Sequence, residues 1–245
     1  MKIPTIAGII ERRILVNYRV DPIALARQLP APFRPQLVGG MGVAGICLIR
    51  LRALHLRFLP ALPGWSSENA AHRFAVEWDE NGQVRRGVYI PRRDTNSRLS
   101  VLVGGRLFPG IHHHALFDVH DDGDRIELSV NSDDAQVRLR VKAHSIEHLP
   151  ADSVFTSLRE ASDFFEAGAL GYSATHQAGR YDGLRLRTTN WQVKPLEIES
   201  VTSSYFDDPA HFASGEAQLD SILLMRDVQH DWCSEPAMCA PPAAI

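Results

Sequence analysis

Three consecutive histidines, His112, His113 and His114, precede the apolar-rich run Ala115 to Val119. On a strand, successive side chains point to opposite faces, so His112 and His114 share one face and His113 takes the other. Two imidazoles on one face can ligate a metal ion, but a zinc site needs a third ligand that this spacing does not supply, and no metal is assigned. They can also act as general acid or base, because imidazole titrates near neutrality. Arg106 offers a guanidinium that grips a carboxylate in bidentate fashion, or else makes a structural ion pair. Glu77 lies in the alternating stretch Phe74 to Trp78. Facing an enclosed space it is an acid with a raised pKa, and facing water it is an ordinary carboxylate. Tyr89 adds a phenol to the same space or simply packs. Arg106, Glu77, His112 and His114 form the expected catalytic set, with His113 and Tyr89 among the expected substrate contacts.

A different chemistry is discouraged by composition. The chain has 245 residues with 26 Lys and Arg, but the only lysines are Lys2, Lys142 and Lys194. Lysine can form a Schiff base with a carbonyl compound and arginine cannot. The net charge of -3 gives no nucleic-acid footprint. No apolar run reaches membrane-spanning length, and Arg12-Arg13 interrupts the N-terminal segment before a secretory core can form. Cys47, Cys233 and Cys239 show neither a disulfide framework nor metal-ligand spacing, and Cys47 reads as a small core residue. A cytoplasmic protein without membrane or nucleic-acid partners is expected.

The elements that must position these residues are mostly strands. Ile14 to Val20 is rich in β-branched residues, and Asp21-Pro22 then caps a short helix ended by Pro30, Pro32 and Pro35. Ile46 to Leu51 and His72 to Trp78 read as strands, and Asn81-Gly82 is a hairpin turn answered by Gly87 to Ile90. Leu99 to Val103 and His112 to Val119 are further strands. Arg125 to Val130 pairs with Ala135 to His144, in which Val137, Leu139 and Val141 alternate with cationic residues. Ser157 to Glu160 is a capping box that opens a helix stopped by Gly168. Gly183 to Thr189 and Leu196 to Ser203 complete the strands. The pattern predicts a mainly β protein with a few helices, an antiparallel barrel or sandwich whose interior or mouth is the functional space. Residues 1–233 are expected to form one domain, and 234–245, with Pro236, Pro241 and Pro242, a loosely held tail.

Three segments carry a resemblance. They are ILVNYRVDPIALARQLPAPFRP from Ile14 to Pro35, GGRLFP from Gly104 to Pro109, and SLREASDFFEAGALGYS with NWQVKPLEIESV between Ser157 and Tyr205. In this order they resemble the acetoacetate decarboxylase-like superfamily, in its uncharacterised bacterial branch known only as a domain of unknown function. The resemblance implies a barrel-like fold around an internal cavity, and a homo-oligomer. In the decarboxylases a reactive lysine pair follows an aromatic-Pro step. Here Phe108-Pro109 is followed by Gly110-Ile111, neither of which forms an imine. The family's early-strand glutamate falls near Glu77, with Glu68 as the alternative. Its first arginine falls near Arg12 or Arg13, and the arginine of its Gly-Arg step matches Arg106. Arg13 and Phe108 therefore join the expected substrate contacts. The expected function is a cofactor-free lyase, isomerase or hydrolase acting on a small carbonyl or carboxylate compound by acid–base chemistry. The alternative is a non-catalytic small-ligand-binding protein of the same fold.

Overall fold

The computed structural model describes residues 4–58, 64–104 and 109–240. Its strands in chain order are β1 (Ile6–Val20), β2 (Arg34–Pro35), β3 (Leu37–Val38), β4 (Met41–Leu56), β5 (Trp65–Glu80), β6 (Gln83–Thr95), β7 (His112–Asp121), β8 (Arg125–Ser132), β9 (Arg138–Ser145), β10 (Leu170–Ala174), β11 (Arg180–Thr188), β12 (Lys194–Ser203) and β13 (Ala217–Cys239). The helices are α1 (Pro22–Arg27), α2 (Arg98–Val103) and α3 (Leu158–Ala167).

All the strands join one sheet, ordered β11-β10-β6-β7-β8-β9-β12-β13-β1-β4-β5-β2, with β3 on β4. Additional pairings of β11 with β13 and β6 with β5 close the sheet on itself. The sheet is mixed and not purely antiparallel as expected, because β6 runs parallel to both β7 and β10. Parallel strands are joined by a crossover and not by a hairpin, so no turn signal in the sequence announces them.

The central strands are covered on both sides. Ile14 to Tyr18 and Val43 to Leu48 are buried at every position, the continuous pattern of strands without a wet face. Inside the closed sheet, Ile14, Val16, Ile46, Leu48, Phe74, Val76 and Trp78 form the main core. On the opposite face Leu15, Val43, Cys47 and Ala75 pack with Phe155, Ala161, Phe165 and Leu223. Phe165 belongs to α3, so this helix roofs the second face.

Local signals account for most element ends. Asp21 accepts from the backbone N–H of Ile23 and Ala24 at 2.9 and 3.0 Å, starting α1. Ser157 Oγ accepts from the Glu160 N–H at 3.1 Å, starting α3. The Glu160 carboxylate reaches back to the Thr156 N–H at 2.7 Å, one residue before the usual capping-box partner. Asn81 and Gly82 take φ of 52° and 75° in the β5–β6 hairpin, as a primed turn requires.

Two expectations fail. Leu99 to Val103 is helix α2 and not a strand, because the Ser97 hydroxyl accepts from the Ser100 N–H at 3.2 Å and caps a helical turn. The expected loose tail is also wrong over 234–239, where β13 pairs with β11 from Glu235 opposite Gly183 to Cys239 opposite Arg180. Pro236 is tolerated because the register shifts between Tyr181 and Gly183, which frees its position from the ladder.

The core contains an imidazole. His72 is buried against Tyr205 at 5.0 Å, neither ring nitrogen has a hydrogen-bond partner, and burial pushes its pKa down to about 3. The unfolded chain binds this proton near pH 6.5 and the folded chain does not. Stability is therefore full above pH 6.5 and falls as the pH drops toward 3, by about 1.4 kcal/mol per pH unit for such a group. His72→Phe should flatten the decline in melting temperature between pH 6.5 and 4.5. An unchanged slope in thermal melts would count against this origin of the acid sensitivity.

Candidate functional site

The register of five strands builds one row across the second face. Leu15 on β1 pairs with Cys47 on β4, Cys47 with Ala71 on β5, Ala71 with Arg93 on β6, and Arg93 with His112 on β7. Ala71 is small, and this leaves space over the row. Cys47, Asn69, Ala71, Arg93, Pro109 and His112 border a cavity of about 50 Å³. That is room for on the order of four ordered waters, the size of a two- or three-carbon acid.

Arg93 enters the cavity from β6, and its Nε and Nη2 donate to Ser173 Oγ of β10 at 3.1 and 2.9 Å. Burial pushes its pKa down to about 10. The His112 ring lies with Nδ1 3.2 Å from the carbonyl of Gly110. If Nδ1 carries the proton, Nε2 is the basic nitrogen. Desolvation first, and the neighbouring Arg93 second, push His112 down to about 3, so the imidazole is neutral at physiological pH.

Two more guanidiniums flank the row. Arg13 and Arg73 are the diagonal neighbours of Cys47 on β1 and β5. Arg13 Nε donates to Cys47 Sγ at 3.2 Å, and its guanidinium lies 5.3 Å from the Trp191 ring centre. Arg73 donates to Asn17 Oδ1 at 2.5 Å and lies over Phe165 at 4.6 Å, with burial pushing it down to about 10. Among the described residues, no carboxylate forms an ion pair with Arg13, Arg73 or Arg93. Arg13 Nη1 and Arg73 Nε are buried without a hydrogen-bond partner. Elsewhere arginines meet acids: Arg12 with Glu68, Arg34 with Glu77 and Asp79, Arg92 with Asp94 and Asp134, and Arg226 with Asp121. A buried cation is costly without an anion.

The expected site residues divide. His112 borders the cavity, and Arg13 touches it through Cys47. His114 is turned to Asp133, 2.8 Å from Nδ1, and His113 to Asp134 at 3.3 Å. Glu77 does not face the cavity. It lies on the strand face opposite Val76 and Trp78, held by Arg34 at 2.9 Å with Arg86 at 3.8 Å. Tyr89 packs in the main core against Phe33 and Tyr181, where burial pushes it up to about 12. Arg106 and Phe108 lie outside the described residues. Among the described residues no three His, Cys, Asp or Glu side chains converge on a metal position.

Of the two glutamates placed by resemblance, Glu68 meets an arginine of the first strand. Both its oxygens accept from Arg12 Nη2, at 2.9 and 2.8 Å, in a buried pair. The pair lies on the other face of β1 from Arg13, as strand alternation demands.

Arg73, Arg93, Cys47 and Ser173 were not anticipated. One signal for Arg73 is present: it stands between Ala71 and Ala75 on its face of β5, a large cation flanked by two small residues. Arg93 gives no such signal, since Arg92 and Arg93 adjoin and only the register decides which of them enters the cavity.

At Gly110 the backbone has φ of 79°, and a Cβ there would lie 2.5 Å from Ser173 Cβ. The backbone conformation and the packing both exclude a side chain at this position. Lys142 pairs with Glu127 at 2.9 Å on the wet sheet face, and Lys194 borders a surface groove beside α3. Among the described residues no helix is long and apolar enough to cross a membrane.

Solved structures of similar fold cover nearly the whole chain. An acetoacetate decarboxylase-like enzyme from Sphingomonas wittichii RW1 superposes with a TM-score of 0.56 at 13% identity, covering 97% of this chain and 92% of its own. Acetoacetate decarboxylase from Legionella pneumophila gives 0.60 at 12% identity, covering 97% and 87%. The enduracididine biosynthesis enzyme MppR, complexed with pyruvate, gives 0.54 at 12% identity, covering 98% and 91%. No curated protein matches the sequence. A family model described as an uncharacterized conserved protein matches residues 10–225. The chain belongs to this family, DUF2071, and has the acetoacetate decarboxylase-like fold.

Proposed function

We propose that the protein takes a two- or three-carbon oxo acid into the cavity beside Arg93 and acts on its carbonyl by acid–base chemistry, without a Schiff base. The observation that carries this reading is Arg93, which borders the cavity and has no carboxylate partner among the described residues. The lining Asp94 is held by Arg92, and Arg13 and Arg73 add charge beside Cys47. Arg93 would grip the ligand carboxylate through its N–H fork. His112, one strand away, would give or take a proton at the adjacent carbon or oxygen. Binding of an anion also offsets the charge of Arg93 and thereby eases protonation of His112. The described residues bordering the cavity include no lysine, and Gly110 stands where the resemblance puts the reactive amine. MppR, of the same fold, is complexed with pyruvate, which suits a cavity of this size.

The second reading is a binding protein that performs no chemistry. It is favoured by the depression of His112 to about 3, which makes the empty-site imidazole a weak base.

Pyruvate and acetoacetate should raise the melting temperature at millimolar concentration, and their uncharged amides should not. At a hundredfold excess over Kd the stabilisation is about 2.7 kcal/mol. Product formation followed by NMR separates enzyme from binder. Borohydride should trap no adduct at Lys142 or Lys194. Equal shifts from acids and amides, or no shift from either, would remove the carboxylate reading.

A further inference from the structure

The wall of the cavity contains a thiol that the acid–base reading leaves without a task. Cys47 is buried, borders the cavity and accepts an N–H from Arg13 Nε at 3.2 Å. Arg73 stands on its diagonal on β5, and Arg93 lies two strands along its own row across Ala71. Arg73 is nine-tenths buried, and its Nε has no partner. Reactive cysteines occupy electropositive surroundings, because positive charge draws anionic reagents and favours the sulfur carrying the attacking pair. Three guanidiniums around one cavity-lining sulfur meet that description. Cys233 and Cys239 lie on β13 opposite Arg185 and Arg180 of β11, each across from one arginine and not among three.

We propose that Cys47 is the nucleophile of the cavity, a covalent modification site for small carboxylates that carry an electrophilic carbon, such as 2-haloacids and 2-enoates. This rests on the anion-binding reading of the same cavity. With a 2-haloacid, the S–C bond forms as the carbon–halogen bond breaks, halide leaves with the bonding pair, and the thiol proton passes to water. With a 2-enoate, sulfur adds to C3, the π pair moves to C2, and C2 takes up one proton in place of the one lost from sulfur. Neither step needs an oxidant or reductant. In both, Arg93, which borders the cavity with Cys47, holds the carboxylate while its neighbouring carbon meets Sγ.

The test uses the unmodified protein and the charge of the reagent. Native protein is treated in parallel with iodoacetate, which is anionic, and iodoacetamide, its neutral counterpart. Labelling of each cysteine is followed by peptide mass spectrometry. The exposed Cys239 serves as the internal reference. The iodoacetate-to-iodoacetamide rate ratio at Cys47 should exceed that at Cys239 by about tenfold or more, equivalent to about 1.4 kcal/mol of charge selection. Arg13→Gln should pull the Cys47 ratio toward that of Cys239. A ratio at Cys47 no higher than at Cys239 overturns the proposal, as does an unlabelled Cys47 when Cys239 is fully labelled. If oxo acids bind but Cys47 shows no selectivity, only this inference falls. If Cys47 is selectively labelled but no oxo acid binds, the oxo-acid function falls and the modification site stands.

Discussion

On the proposed oxo-acid reading, Arg93→Met should yield a protein that melts higher and binds small carboxylates roughly a hundredfold more weakly. Both effects come from one cause. Arg93 holds a charge in a largely enclosed site with Ser173 as its hydrogen-bond acceptor and no carboxylate partner among the described residues. Replacing buried charge with an apolar side chain of similar volume is often neutral or stabilising by about 1–4 kcal/mol. Ser173 loses its donor, which offsets part of that gain. A net gain of 1 kcal/mol raises the melting temperature of a chain of this size by about 2–4 °C. The lost interaction with a ligand carboxylate is a charge-assisted pair worth about 3 kcal/mol, or roughly a hundredfold in affinity. Calorimetry with and without pyruvate measures both. A variant that melts several degrees lower yet binds pyruvate as the wild type does would show that Arg93 is structural. His112 supplies a further readout in the same variant. Removing the cation beside it should let its titration, followed by ring-proton NMR, move upward from the value near 3.

The second large effect concerns the ion pair that the cavity does not use. Glu68→Ala should destabilise the protein by about 3–5 kcal/mol, because it strands Arg12 as a buried cation. Asp121, at 3.5 Å from Arg12, compensates only in part, since it already holds Arg226 at 2.7 Å. Burial pushes the Glu68 carboxyl above its ordinary pKa despite two hydrogen bonds from Arg12, so desolvation outweighs the attraction at this acid. It follows that Arg12→Met combined with Glu68→Met should be far milder than Glu68→Ala alone. Urea denaturation of the single and double variants measures the difference. A double variant as unstable as the single one would show that the pair contributes net stability and not only internal compensation.

Both predictions concern arginines, and the sequence ranked these poorly for a physical reason. A strand's period of two tells which residues share a face but not which face lies against a cavity. Arg12 and Arg13 are adjacent, as are Arg92 and Arg93. In each doublet one member meets a carboxylate on one side of the sheet, and the other has no carboxylate partner among the described residues on the opposite side. Glu77 illustrates the same limit: its alternation with Phe74, Val76 and Trp78 was legible, and the main core then took the aromatic side. The long strand β13 escaped notice because Asp220, Arg226, Asp227, Asp231 and Pro236 interrupt any simple alternation. It survives by serving three neighbours, β12, β1 and β11, along different parts of its length.

By itself the sequence determined what local interactions decide: the Asp21 and Ser157 caps, the Asn81-Gly82 turn, the alternation of β9 and the mainly β class. It also determined a glycine where the resemblance calls for an amine, because residue identity needs no fold to be read. Tertiary structure alone decided which histidine borders the cavity, which arginines lack acids, and that Cys47 stands among them. Those facts depend on the register of β1, β4, β5, β6 and β7 across the sheet. Register is set by long-range pairing and by the burial of two apolar faces at once, and a one-residue slip would exchange every inward side chain for its outward neighbour.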